Sequence, residues 1–153
     1  EISSWAVPGA QCRHNLGYWT EVPYRGLGLG AHSFIDGKRF WNTRSMSEYQ
    51  NKLVRGENPI DQIEERTARI RVEEAFLLGL RRMEGFDVWA VAKDIGIDYP
   101  REWFDRVDSL VDEGLVEFDG NILKLSSPGW LLATGVIEEL LCPALLSICE
   151  AIP

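Results

Sequence analysis

The hydrophobic positions of this chain change rhythm partway along it. Over residues 68–83, Ile70, Val72, Ala75, Phe76, Leu78, Leu80 and Met83 recur at helical spacing, and Gly85 stops the stripe. Asp87 has the chemistry of an N-cap for a second helix over residues 88–94, ended by Gly96. A third helix opens at Pro100, whose missing N–H is harmless in a first turn, and buries Trp103, Phe104, Val107, Leu110 and Val111 before Gly114 closes it. Residues 115–118 and 122–125 flank Asp119-Gly120-Asn121 as a tight two-stranded ribbon, and Ser126 or Ser127 caps a last helix through Leu141. Three helices, a ribbon and a helix predict a winged-helix-like module.

The first part has no such stripe and is rich in glycine and aromatic residues. Residues 1–6 read as a short buried strand stopped by the turn dipeptide Pro8-Gly9. Residues 24–34 read as a second strand in which Gly26, Gly28 and Gly30 bare one face, so that another body should lie against it. Asp36-Gly37 between apolar flanks predicts a hairpin, and Ser45-Met46-Ser47-Glu48 has the spacing of a capping box that opens a short helix ending near Gly56. The change of character at Gly56-Glu57-Asn58-Pro59 marks the expected boundary: one segment over residues 1–58, the helical module over 59–141, and a tail over 142–153 with no assigned structure.

Composition adds limits. With 153 residues, 45% of them hydrophobic, and six Trp, the chain can build a core. Its longest apolar run, residues 130–149, is interrupted by Glu138, Glu139 and Pro143, which excludes a membrane span. Cys12, Cys142 and Cys149 follow neither a disulfide framework nor zinc-ligand spacing, which points to a reducing, cytoplasmic setting. The first residue is Glu rather than Met and no signal-peptide pattern follows, so the sequence is expected to begin inside a longer chain. Residues 1–58 hold seven Lys/Arg and five Asp/Glu and the remainder nine and nineteen, so a net charge of +2 precedes one of −10. The third helix sets Arg101 and Arg106 against Glu102, Asp105, Asp108, Asp112 and Glu113, a surface that a phosphate backbone would avoid; no nucleic-acid partner is expected.

Two runs carry candidate chemistry. In His14-Asn15-Leu16-Gly17-Tyr18-Trp19 an imidazole able to ligate iron stands among aromatics able to stack on a flat macrocycle. The same residues also suit a loop histidine satisfied by local hydrogen bonds, and chemistry alone leaves both readings open. Gly26-Leu27-Gly28-Leu29-Gly30-Ala31-His32-Ser33 is not the dinucleotide fingerprint, because its third glycine comes one place early and no capped helix follows. It could floor a cofactor pocket or simply pack tightly against a neighbour.

Taken in order, Glu1-Ile2-Ser3-Ser4-Trp5-Ala6-Val7-Pro8-Gly9, Cys12-Arg13-His14-Asn15, Tyr18-Trp19, residues 26–33, Trp41-Asn42, Tyr49, Leu78-Gly79-Leu80-Arg81, Glu84-Gly85, Glu113-Gly114-Leu115 and Leu125-Ser126 with Gly129 and Leu132 resemble the second half of the oxygen-independent coproporphyrinogen III oxidase-like radical-SAM family. The resemblance covers residues 1–141, and His14-Asn15-x-x-Tyr18 resembles the element that marks the family's heme-chaperone branch. It implies an α+β fold: the last strands of a partial (β/α) radical-SAM barrel, then a mostly helical winged-helix-like C-terminal domain. It further implies heme held by His14, Asn15 and Tyr18, with His14 on the iron, and S-adenosylmethionine beside Gly28, Gly30, Ala31, His32 and Ser33. The implied parent protein would deliver heme to a recipient hemoprotein and draw on an electron donor. Its [4Fe–4S] cluster would sit on a C-x-x-x-C-x-x-C motif that this chain does not contain, so this chain cannot bind the cluster itself and no catalytic residue is assigned. Two other functions remain compatible with the sequence: an oxidase that decarboxylates coproporphyrinogen III, and a truncated, non-catalytic interaction module.

Overall fold

A computed structural model describes residues 5–152, and the chain divides into two compact units, Glu1–Arg66 and Thr67–Pro153. The strand expected over residues 1–6 lies partly outside the described residues; Trp5 and Ala6 belong to no strand, and Trp5 is 80% exposed. The Pro8-Gly9 turn does form, with the Ala10 amide donating to the Val7 carbonyl at 3.0 Å.

The first unit is built on a three-stranded antiparallel sheet in the order β1 (His32–Ile35), β2 (Lys38–Asn42), β3 (Ile60–Glu64). The hairpin joining β1 to β2 follows from its turn: Asp36 at φ 52° and Gly37 at φ 71° both occupy the left-handed region that a type I′ turn demands. Two helices accompany the sheet, α1 (Arg13–Trp19) and α2 (Met46–Val54). The α2 cap is a relay rather than a closed box. The Ser45 hydroxyl accepts the Glu48 amide at 3.4 Å, Glu48 accepts the Thr43 hydroxyl at 2.9 Å, and Thr43 Oγ1 accepts the Ser45 amide at 3.2 Å. Phe34 is buried with Ser33, Asn42 and Thr43, and the Arg66 guanidinium, paired with Glu21, lies 5.0 Å over the Phe34 ring.

The glycine-rich strand expected over residues 24–34 is a correction. Tyr24 and Phe34 exchange both backbone hydrogen bonds, at 2.8 and 2.9 Å, but residues 25–31 leave the sheet before β1 begins at His32. Gly28 at φ 103° and Gly30 at φ 61° serve conformation, not packing on a bared face; a Cβ at Gly28 would meet nothing within 4 Å. The division of the fold also falls later than the compositional change at residues 56–59, because β3 pairs with β2.

In the second unit α3 (Ala68–Gly79) leads through a turn to β4 (Phe86–Asp87), α4 (Val88–Ile95), α5 (Arg101–Asp112), β5 (Val116–Phe118) and β6 (Ile122–Leu125). The two-stranded ribbon gains a third member, giving the order β4-β6-β5. Helix α3 stops before the expected Met83. Its final residue, Gly79, packs so closely on Phe86 that a Cβ there would lie 2.5 Å from the ring. Asp87 caps α4 by accepting the Ala90 amide at 2.9 Å, and Gly96, at φ 83°, ends it.

The single last helix expected through Leu141 is two, α6 (Ser127–Leu131) and α7 (Ala133–Leu140), and a further helix, α8 (Pro143–Glu150), follows them. Leu132, at φ −111° and ψ 16°, breaks α6 from α7. The segment read as an unassigned tail is thus a helix, α8, which enters the core through fully buried Leu145 and through Cys149, packing on α3 and α5. That core centres on Trp103, whose ring stacks on Tyr99 at 4.1 Å and meets Phe76 edge-on at 6.2 Å. Burying each such aromatic contributes roughly 1.5–3 kcal/mol. No described helix is long and apolar enough to cross a membrane.

Candidate functional site

Helix α1 carries the first candidate residues, and none of its residues is buried. His14 and Tyr18 stand one turn apart on one face, so their side chains meet: Nε2 of His14 and the Tyr18 hydroxyl are hydrogen-bonded at 3.0 Å. The rings lie edge-on, 5.1 Å apart, and Tyr18 in turn meets Tyr24 edge-on at 4.8 Å. Because the Tyr24 backbone pairs with Phe34, this aromatic row ties α1 to the first sheet. His14 is therefore helical rather than on a loop, with its hydrogen bond made locally. His14 and Asn15 are exposed, and Tyr18 is 44% exposed. An accessible imidazole beside two phenol rings suits a flat, iron-bearing macrocycle as far as donor type and stacking surface go.

The second locus is the loop ahead of β1. Gly26 donates its amide to the buried Ser33 hydroxyl at 3.0 Å, and its neighbourhood admits no larger residue, since a Cβ would sit 2.1 Å from the His32 carbonyl oxygen. Gly28 donates its amide to the Tyr49 hydroxyl at 3.2 Å and accepts the Asn42 side-chain amide at 2.9 Å. Gly30 donates to the Thr43 carbonyl and Ala31 accepts the Asn42 amide, both at 3.0 Å. His32 faces out, stacked on Trp41 at 5.2 Å.

A half-open hollow of about 320 Å³ lies beside this loop, lined among others by Arg25, Gly26, Ser33, Asn42, Tyr49 and Asn58. Of the residues expected around S-adenosylmethionine, Ser33 lines the hollow, whereas Gly28, Gly30, Ala31 and His32 do not. Neither do His14, Asn15 and Tyr18. Asn42 and Tyr49 are additions: they hold the loop and line the hollow, and their place among the residues that carry the family resemblance was the available signal. Among the described residues no group of three His, Cys, Asp or Glu could hold a metal ion. In the second unit the two cations of α5 are already paired, Arg101 with Asp105 at 2.9 Å and Arg106 with Glu139 at 3.3 Å.

The family model of the HemN C-terminal domain matches residues 67–132. A heme chaperone HemW of Mycobacterium tuberculosis is 33% identical over 141 residues, 92% of this chain and 34% of that protein. A heme chaperone HemW of Synechocystis sp. is 36% identical over 132 residues, 84% of this chain and 31% of that protein. Among solved structures, coproporphyrinogen III oxidase (HemN) from Escherichia coli, described as a radical SAM enzyme, aligns with a TM-score of 0.54 and 18% identity, covering 74% of this chain and 27% of that one.

The fold is thus that of the carboxy-terminal region of a HemN-type protein. Residues 67–132 match the HemN C-terminal domain, most of the chain is similar to HemW heme chaperones, and it spans about a third of the length of the curated heme chaperones it matches.

Proposed function

We propose that this chain is the C-terminal part of a heme chaperone and that its share of the cargo site is α1, with His14 as the iron ligand. The observation that carries this reading is the exposed His14 imidazole set in a row with Tyr18 and Tyr24. An imidazole supplies the donor, the phenol rings supply apolar faces for the macrocycle, and the accessible helix leaves room for a cargo that must also depart. Asn15, next to the ligand on the exposed side, would offer hydrogen bonds to the cargo's polar edge.

In the same reading the Gly26–Ala31 loop, propped by Asn42 and Tyr49, forms with His32 and Ser33 of β1 one wall of the S-adenosylmethionine site. The hollow beside it, which Ser33, Asn42 and Tyr49 help to line, supports this reading. Residues 1–58 would be the last strands of the partial barrel, and its remainder, with the cysteines for the [4Fe–4S] cluster, would belong to the two thirds of the relatives' length that this chain does not span. The electron donor and the recipient hemoprotein would engage that complete protein in the cytoplasm. The order α3-β4-α4-α5-β5-β6 supports a winged-helix-like second unit. Its acidic, ion-paired α5 suits docking of protein rather than of a phosphate backbone.

The test is a titration of ferric heme into this chain and its His14→Ala variant, followed by the Soret band. Weakened binding and a shifted band in the variant are expected. An identical affinity and spectrum would overturn the assignment of His14.

A further inference from the structure

We infer that the Tyr18 hydroxyl guards the coordinating nitrogen of His14, so that heme ligation begins with the loss of their hydrogen bond; this rests on His14 holding heme as proposed above. The two imidazole nitrogens are not equivalent on a helix. Nδ1 lies beside Cβ, close to the helix's own backbone, where a broad macrocycle would collide with it. Nε2 lies at the far end of the ring and is the nitrogen from which a macrocycle can stand clear. Yet Nε2 is the atom that meets the Tyr18 hydroxyl, at 3.0 Å.

Whichever partner donates, Nε2 is occupied. As acceptor its lone pair is engaged by the hydroxyl; as donor it bears the proton that ligation has to displace to Nδ1. In the accepting form the proton already sits on Nδ1, the tautomer that ligation through Nε2 requires. The exchange then balances without proton release: the O–H···N bond breaks, the nitrogen lone pair bonds to iron, and the hydroxyl turns to water with its proton. Tyr18 is 44% exposed on a helix that buries no residue, so its ring has room to shift the hydroxyl off Nε2 and still offer a face to the macrocycle. The hydroxyl therefore keeps the free imidazole in one orientation and keeps other electrophiles off it until the iron competes.

Tyr18→Phe separates the hydroxyl from the ring, because phenylalanine retains the edge contacts to His14 and Tyr24. Losing one competing hydrogen bond should tighten ferric heme binding by about fivefold, with the Soret position unchanged. Weaker or equal binding in Tyr18→Phe, in a chain whose heme binding does depend on His14, would overturn the guard. An independent readout needs no heme. Nitrogen NMR of the His14 ring should show the Nε2 resonance moving on Tyr18→Phe, and an unmoved resonance would also overturn it. If His14→Ala leaves heme binding intact while the resonance moves, the hydrogen bond stands but the heme reading fails, and the guarding role goes with it.

Discussion

The amide of Gly26 donates to the hydroxyl of Ser33 at 3.0 Å, and Ser33 is 1% exposed. A buried N–H that loses its acceptor costs about 1–3 kcal/mol, and the part-buried Gly26 amide sits at the lower end of that range. Ser33→Ala should therefore destabilise the first unit by that amount and free the Gly26 amide. Hydrogen exchange at Gly26, read by NMR, checks it: faster exchange is expected, and unchanged protection would show that Ser33 does not hold this loop.

Asp87 gives the second unit a specific sensitivity to acid. Its carboxyl is held below the ordinary aspartate range, first by the Ala90 amide and then by the Asn121 side chain, which donates at 2.9 Å. A depressed folded pKa means that the cap's charge-dependent stabilisation is complete above the unfolded value, about 3.9, and is lost as pH falls through the lower folded value. Asp87→Asn keeps an acceptor oxygen but cannot titrate. The difference in denaturation midpoint between the native chain and Asp87→Asn should be constant above about pH 5 and shrink below about pH 4. A difference that stays constant down to pH 2 would contradict the assignment.

Two glycines in neighbouring helices should respond to alanine with opposite signs. A Cβ at Gly129 would lie 1.9 Å from the Leu115 carbonyl oxygen, so the ribbon and α6 must separate to admit it. Overpacking of this kind costs about 1–3 kcal/mol, or more where backbone is the obstacle. Gly135 in α7 has open space around its missing Cβ, and helix propensity there favours alanine by roughly 0.5–1 kcal/mol. Thermal melts should show Gly129→Ala lowered and Gly135→Ala raised. A raised melting temperature for Gly129→Ala would sink the close contact between α6 and Leu115.

What the sequence shows clearly in this chain is what neighbouring residues decide among themselves. Asp36-Gly37 makes its hairpin, Ser45 and Asp87 cap their helices, and Gly96 ends one, because each signal acts within a single turn. The loop over residues 25–31 was illegible for the opposite reason. Its glycines alternate as in a strand, but the backbone is set by Asn42, Thr43 and Tyr49, residues distant in sequence. Strand β3 carries too few apolar residues to register, with Ile63 itself 58% exposed, and its existence depends on pairing with β2. At the candidate site the family motif picked out His14 and Tyr18, whereas the contact between His14 Nε2 and the Tyr18 hydroxyl needed the helix. The resemblance ended at residue 141 and so gave α8 no structure, although Pro143 at its first turn and Leu145 with Cys149 at i, i+4 spacing were a readable helix.

That last helix carries the largest expected effect. Leu145 is fully buried against α3 and α5, and truncating a buried leucine to alanine costs about 2–5 kcal/mol through lost burial and the cavity left behind. Against a typical total of about 5–15 kcal/mol for a small domain, this is a substantial share of the second unit's stability. Arg69, which bridges Glu73 and Glu150 between α3 and α8, lies in solvent, where ion pairs contribute little, so Arg69→Ala should change the melt far less than Leu145→Ala. Denaturant unfolding of the two variants decides between apolar packing and ion pairing as the hold on α8. Equal, small losses would mean that α8 rests on the surface, and a large loss for Arg69→Ala alone would mean that the ion pairs hold it.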